Sequence, residues 1–200
     1  WCIAENKRGI HETYSNDIDI FIATQDLSKF VSKIKTKHRY VTKEELYYAV
    51  DLLNNPIDQV LLLGLYEGIA GEKLYELRSL KRKNSVQFDA KMVILIDING
   101  NERMKPISSK LTNILKEAIE QEDYLLANGE NLKGKGDVRK LINSEYILRP
   151  TVRGDNDVNE MMTYGVISGK FTKVKKYIGL EHATPQSIVD SGMINRVIEL

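Results

Sequence analysis

The chain has 200 residues, enough for one hydrophobic core with at most a small appendage, and its 42% hydrophobic and 28% charged content is that of an ordinary globular protein. A formal net charge of +1 provides no bulk attraction to nucleic acid, so any such role must lie in how the charges are distributed. Cys2 is the lone cysteine, which excludes a disulfide framework and a cysteine metal cluster, and no apolar run reaches membrane-spanning length.

The chain starts at Trp1 without a recognisable signal peptide, and further sequence is expected before it. Ile18, Ile20, Phe21, Leu27, Phe30, Val31 and Ile34 line one face of a helical pattern. The basic stretch Lys33-Ile-Lys-Thr-Lys-His-Arg39 then reads as a connector. Residues 1–40 are therefore expected to be the end of an earlier domain or a linker, and 41–200 a second domain.

Thr42-Lys-Glu-Glu45 is a capping box, with Val41 and Leu46 spaced for a hydrophobic staple. That helix should stop before Asn54, and Asn55-Pro56 should start the next one, with Asn55 as its cap. The second helix carries Val60, Leu61, Leu62, Leu63 and Leu65, apolar all round, which places it at the centre of the core. Glu67-Gly-Ile-Ala-Gly71 breaks the pattern before a short helix with Leu74, Leu77 and Leu80 and the basic run Lys81-Arg-Lys83. Strands are expected near Val86–Phe88, Met92–Ile98 and Glu102–Ile107, with Asn99-Gly100 turning the last pair into a hairpin. Leu111, Ile114, Leu115, Ala118 and Ile119 mark another helix, and 128–136 a flexible loop. Asp157-Val-Asn-Glu160, Thr172 and Thr184-Pro185 read as three further helix starts, and Met161-Met162 as core. The order predicts a mainly helical α+β domain with a small three-stranded antiparallel sheet.

This order, with four short motifs, resembles the catalytic domain of tyrosine recombinases, the phage integrase family. Tyr66-Glu-Gly-Ile-Ala-Gly-Glu-Lys-Leu-Tyr-Glu-Leu77 is similar to the family's "TGLRxSEL" turn and helix, with Gly71-Glu-Lys73 as an insertion. Asn99-Gly-Asn-Glu-Arg-Met-Lys-Pro-Ile107 resembles its "GxxxRxxPL" hairpin, Tyr146-Ile-Leu-Arg149 stands at its HxxR, and Gly179-Leu-Glu-His182 at its "LGH". Each motif alone is weak, and their common order and spacing carry the resemblance. Within that family the forms "EGIxGE…ELxxLK" and "GLEHATPQSIVDSG" resemble integrase-like repressors of lytic development in SPβ-like phages.

The family's chemistry uses arginines and a further donor to clamp the scissile phosphate, a lysine as general acid and a tyrosine to attack phosphorus. In this chain Ala70 takes the first arginine's position, no lysine stands near Ile98 or Asn99, and Tyr146 replaces the HxxR histidine. Arg149 and His182 are kept, and the nucleophile's position falls on Ser191. One missing clamp donor costs on the order of 10²–10³ in rate, so the resemblance implies a retained scaffold without recombination chemistry. It implies no cofactor, no metal and no catalytic residue.

The expected partner is double-stranded DNA at operator sites, in the cytoplasm of a bacterial host, with an antagonist protein as a further expected partner. Arg149 and His182 are the expected surviving phosphate contacts. Lys73, in the insertion, is expected near the place of the missing arginine. Arg78, Lys81, Arg82, Lys83, Arg103, Lys173, Lys175 and Lys176 are expected to track the backbone, although such charge runs also occur as solvated faces. Two other readings stand beside this one: an active recombinase using Tyr164, Tyr177 or Ser191, and a protein-interaction module.

Overall fold

The computed structural model describes residues 40–130, 137–152 and 160–198, and these all belong to one compact unit. The expected helical face before residue 39 and the expected cap at Asp157 lie outside the described residues.

Helix α1 (Lys43–Asp51) starts as its sequence dictates. The Thr42 hydroxyl accepts from Glu45 N at 3.2 Å, and the Glu45 carboxylate accepts from Thr42 N at 3.0 Å. Helix α2 (Pro56–Tyr66) has Val60, Leu61, Leu62, Leu63 and Leu65 without solvent exposure. Burying each such leucine contributes roughly 1.5–3 kcal/mol, and α2 is the axis around which the other elements pack. The expected Asn55 side-chain cap is corrected: its Oδ1 accepts from Leu125 N at 2.8 Å and its Nδ2 donates to Leu125 O at 2.9 Å. The amide serves a strand rather than its own helix.

After the bend 67–71 come a 3₁₀ turn (Glu72–Leu74) and helix α3 (Tyr75–Arg78). Strands β1 (Val86–Gln87), β2 (Met92–Ile96) and β3 (Glu102–Pro106) form the expected antiparallel sheet, in the order β1-β2-β3. The hairpin turn closes through Gly100 N to Asp97 O at 3.0 Å, and the Asp97 carboxylate takes both Asn99 N and Asn101 N. Asp97 organises a turn that Asn99-Gly100 alone had suggested. Helix α4 (Ser109–Glu120) follows, capped by the Ser108 hydroxyl.

A second, two-stranded sheet pairs β4 (Asp123–Leu125) with β5 (Val138–Lys140), which sequence patterning did not reveal. Helix α5 (Tyr164–Tyr177) is capped by Thr163, and helix α6 (Pro185–Ile198) begins after Thr184. Thr172 is not a helix start: it lies inside α5 and its hydroxyl donates to Ser168 O at 3.0 Å, a bond that a mid-helix threonine makes with its own backbone. Met162 is buried, as expected of core.

α2 packs chiefly against α4 and α6 and also touches α5. One contact to α5 is ionic. Lys170 Nζ lies 2.7 Å from Asp58 Oδ1, with side-chain exposures of 13% and 1%. The Tyr124 hydroxyl donates to Asp58 Oδ2 at 2.8 Å, and the ammonium sits 3.9 Å over the Tyr124 ring. Burial lowers the Lys170 pKa and raises that of Tyr124, while Asp58 opposes the first shift and adds to the second.

Removing one partner of such a pair strands a charge in the core. Lys170→Ala is expected to lower unfolding stability in urea by about 3–5 kcal/mol. Adding Asp58→Asn should cost far less than the first change, since the stranded carboxylate is then gone. Strictly additive losses would show that the two groups are not coupled.

Candidate nucleic-acid interface

The motif positions that the resemblance picks out are joined by main-chain pairing. Leu80 and Ile147 are buried, and their segments run antiparallel: Ile147 N donates to Leu80 O at 2.8 Å and Arg82 N to Glu145 O at 2.7 Å. The bridge pairs Lys81 with Tyr146, so the run Lys81–Lys83 lies alongside the HxxR position. Lys81 and Arg82 are half-buried and Lys83 exposed. Together with Asn84, Ile119, Glu120 and Asn143–Glu145 they line an open groove. Lys81 Nζ pairs with Glu145 at 2.9 Å, which raises the Lys81 pKa, and Arg82 Nη1 donates to Asn143 Oδ1 at 3.2 Å. Exposed pairs of this kind contribute little to stability and can be exchanged for other anions.

Three residues expected on DNA are instead engaged by partners within the fold, Arg149 and Arg78 buried and Arg103 exposed. Arg149 is only 3% exposed, and its Nη2 donates to Ala118 O at 3.1 Å and to Gln121 O. These carbonyls end α4, where unsatisfied acceptors and the negative dipole end favour a cation. Burial, and then Arg82, lower the Arg149 pKa. The guanidinium expected on a phosphate is a helix cap in this conformation.

Arg78 is also buried, with Nε on Lys73 O at 3.1 Å and Nη1 on Met162 O at 2.9 Å. It ties the insertion to the segment preceding α5. Arg103 grips the Glu76 carboxylate through Nε and Nη2, both at 2.7 Å. Glu76 also accepts from Ala70 N at 3.3 Å, so this pair fixes the bend at the position of the missing arginine.

Lys73 is exposed and stands 3.9 Å from its neighbour Glu72. Lys73 and Leu74 both take left-handed backbone conformations, φ 48° and 58°, each costing roughly 1–2 kcal/mol. The insertion therefore makes a strained left-handed turn, held by Arg78 on the Lys73 carbonyl.

The α5–α6 junction is fixed by its sequence. Gly179, at φ 71°, supplies the left-handed residue after the helix, with Gly179 N to Lys176 O at 3.4 Å and Leu180 N to Lys175 O at 2.9 Å. Lys175 is half-buried and donates to Ala183 O at 3.0 Å. Lys173, Lys176 and His182 are exposed around this turn. Tyr164 is exposed at the start of α5, whereas Tyr177 is half-buried and burial raises its pKa.

Ser191 is 1% exposed, and its hydroxyl is occupied on both sides: it donates to Ser187 O at 2.6 Å and accepts from Val41 N at 3.0 Å. Asn195 Nδ2 takes Val41 O at 3.2 Å. The serine neither caps a helix nor faces solvent; it fastens α6 to the start of the domain. Thr184 and Ser187 form the actual cap, each hydroxyl accepting from the other's backbone N–H at 3.0 and 2.9 Å.

A family model described as "MrpR, C-terminal catalytic domain" matches residues 40–200. The chain belongs to this family. The chain is also similar to the SPbeta prophage-derived uncharacterized protein YopR of Bacillus subtilis (strain 168), with 29% identity over 168 residues that cover 82% of the chain and 50% of the relative. It thus spans half the length of that relative. Phage kinship and the mainly helical α+β fold, both expected from the motifs, hold for this MrpR-family domain.

Sequence reasoning missed two cations near the bend, Lys105 and Arg196. Strand alternation was the available signal for the first, since Arg103 and Lys105 must share a face of β3. Nothing local marked Arg196, whose partner Glu67 O, at 3.2 Å from Nη1, is remote in sequence.

Arg149→Ala is expected to reduce stability by about 2–3 kcal/mol, the range for removing a charged hydrogen bond and stranding its acceptors. His182→Ala, at an exposed turn, should stay within about 0.5 kcal/mol. Urea denaturation of both variants separates the roles; an unshifted midpoint for Arg149→Ala would contradict the capping assignment.

Proposed function

We propose that this MrpR-family domain is part of a sequence-specific DNA-binding repressor on a catalytically inactive tyrosine-recombinase scaffold, which keeps the lytic genes of a temperate phage off. The observation that carries this reading is Ser191. At the position where the resemblance calls for a tyrosine nucleophile, a short hydroxyl is buried and bound by both Ser187 O and Val41 N. A nucleophile needs a free approach to phosphorus and a base to take its proton. Neither is available to an oxygen engaged in this way.

The charge pattern supports the DNA half of the reading. Lys81–Lys83 beside the groove and Lys173 and Lys176 near the α5–α6 turn present cations from separate elements, with His182 exposed at the same turn. Arg149, Arg78 and Arg103 act behind them as positioning residues. Phosphate contacts of this sort position a protein on the duplex and give salt-dependent affinity, while base contacts supply specificity. Near-zero net charge suits a protein that binds through localised patches. An antagonist protein would relieve repression by occupying the same face.

The second reading is an active recombinase, and Tyr164 favours it most, since its side chain is exposed at the first position of α5.

Gel shifts of the full-length gene product on fragments of its own phage genome test the proposal, with a suicide substrate run in parallel. The expected result is a salt-sensitive shift and no covalent adduct. Replacing Lys81, Arg82 and Lys83 by alanine should flatten the dependence of log affinity on log salt by up to about 0.9 for each phosphate that is no longer neutralised. A covalent adduct abolished by Tyr164→Phe would replace the repressor reading with the recombinase one. Absence of any shift at low salt would point to the protein-interaction module.

A further inference from the structure

The bend at Gly68 collects cations from two elements far apart in the chain. A Cβ built on Gly68 would stand 3.2 Å from Arg196 Nη2 and 3.7 Å from Lys105 Nζ. Arg103 Nη2 lies 3.5 Å from Gly68 O. Arg103 and Lys105 come from the same face of β3, and Arg196 from the last turn of α6.

Two of these cations have internal work. Arg103 holds Glu76, and Arg196 donates from Nε to Gly192 O at 3.1 Å and from Nη1 to Glu67 O at 3.2 Å. Lys105 Nζ makes no hydrogen bond or ion pair among the described residues. Burial, and then Arg196 and Arg103, lower its pKa, with Glu67 and Glu76 only partly opposing them.

The nearby carboxylates do not fill the space. Glu76 faces Arg103, and Glu67 accepts from Ser108 N at 3.0 Å and from the Ser108 hydroxyl. Burial raises the Glu67 pKa, while Ser108 and then Lys105 and Arg196 lower it. Gly68 itself has φ 81° and no side chain, and the Arg196 guanidinium and Lys105 ammonium close over it, 3.2 and 3.7 Å from where a Cβ would stand. Cations crowded together by folded elements attract an anion, and a tetrahedral oxyanion can accept from several of them at once.

We propose that Lys105 and Arg196, buttressed by Arg103, form an anion site over Gly68 that takes a phosphate group. This site lies beside Ala70, where the family's first arginine is missing. It would return a phosphate contact to that corner from different elements. That the phosphate belongs to a DNA backbone rests on the repressor reading; the anion site does not.

The experiment uses ¹⁵N-labelled full chain titrated with inorganic phosphate against chloride at matched ionic strength. The expected result is saturable amide shifts at Gly68, Lys105 and Arg196 that Lys105→Gln abolishes. Lys105 is the variant of choice because its ammonium holds no structural bond, and an unchanged remainder of the spectrum verifies the fold. On operator fragments, Lys105→Gln should weaken binding roughly tenfold, as for removal of one charged hydrogen bond.

Phosphate shifts with unchanged DNA affinity would support the site but overturn the DNA backbone as its source. Phosphate shifts in a protein that never binds DNA would support the site and sink the repressor reading. No phosphate shifts, with DNA affinity unaffected by Lys105→Gln, would overturn the site itself.

Discussion

Gly192 on α6 is seated directly against the carbonyl of Tyr66 at the end of α2. A Cβ on Gly192 would lie 1.7 Å from that oxygen, far inside any van der Waals contact. Only glycine permits α6 to sit there. Its neighbours then inherit their positions: Ser191 and Asn195 reach both polar groups of Val41, and Arg196 reaches Glu67 O. The helix that would carry a nucleophile is thereby locked against the core axis and the Val41 segment that precedes α1. The bend beyond Tyr66, with its cations, is shaped by the same contact.

That constraint explains why the old chemical positions read as structural ones. The position of the first arginine is Ala70, whose N–H goes to Glu76, and Glu76 in turn is gripped by Arg103. The HxxR arginine caps α4, and the nucleophile's position bolts α6 to Val41. At the positions of Ala70, Arg149 and Ser191 the polar groups are held by partners in the fold. A buried, hydrogen-bonded polar group is costly to release, because its partners would be left unsatisfied. Under the proposed reading the scaffold has thus been consolidated at the points where a recombinase must stay open.

Much of the fold was legible because it depends on local chemistry. The Thr42 capping box, the leucine-rich α2, the three-stranded sheet and the Thr184-Pro185 start are decided within a few residues, and all are observed. The misses are non-local. Asn55 looked like a helix cap until Leu125 claimed its amide, and Thr172 carries the same residue type as a true cap. The short strands β4 and β5 are held together across a long connection and have no alternating apolar pattern to betray them. Among site residues, the spacing located Arg149 and Ser191 in the sequence but could not give the direction of their side chains. Direction is set by remote main-chain groups, the Ala118 carbonyl and the Val41 N–H respectively.

The distribution of charge follows from these commitments. Arginines at 78 and 149 are drawn inward and Arg103 grips Glu76 from the surface, and in each the planar fork satisfies two acceptors at a time. Lysines at 73, 83, 173 and 176 remain exposed, as compact charges on flexible stems. In such an arrangement the arginines set the shape of the face and the lysines give it charge. Lys105 departs from the pattern: a lysine half-withdrawn from water and crowded by two arginines. Folding places it there against electrostatic repulsion, and an oxyanion over Gly68 is the partner that would turn that repulsion into attraction.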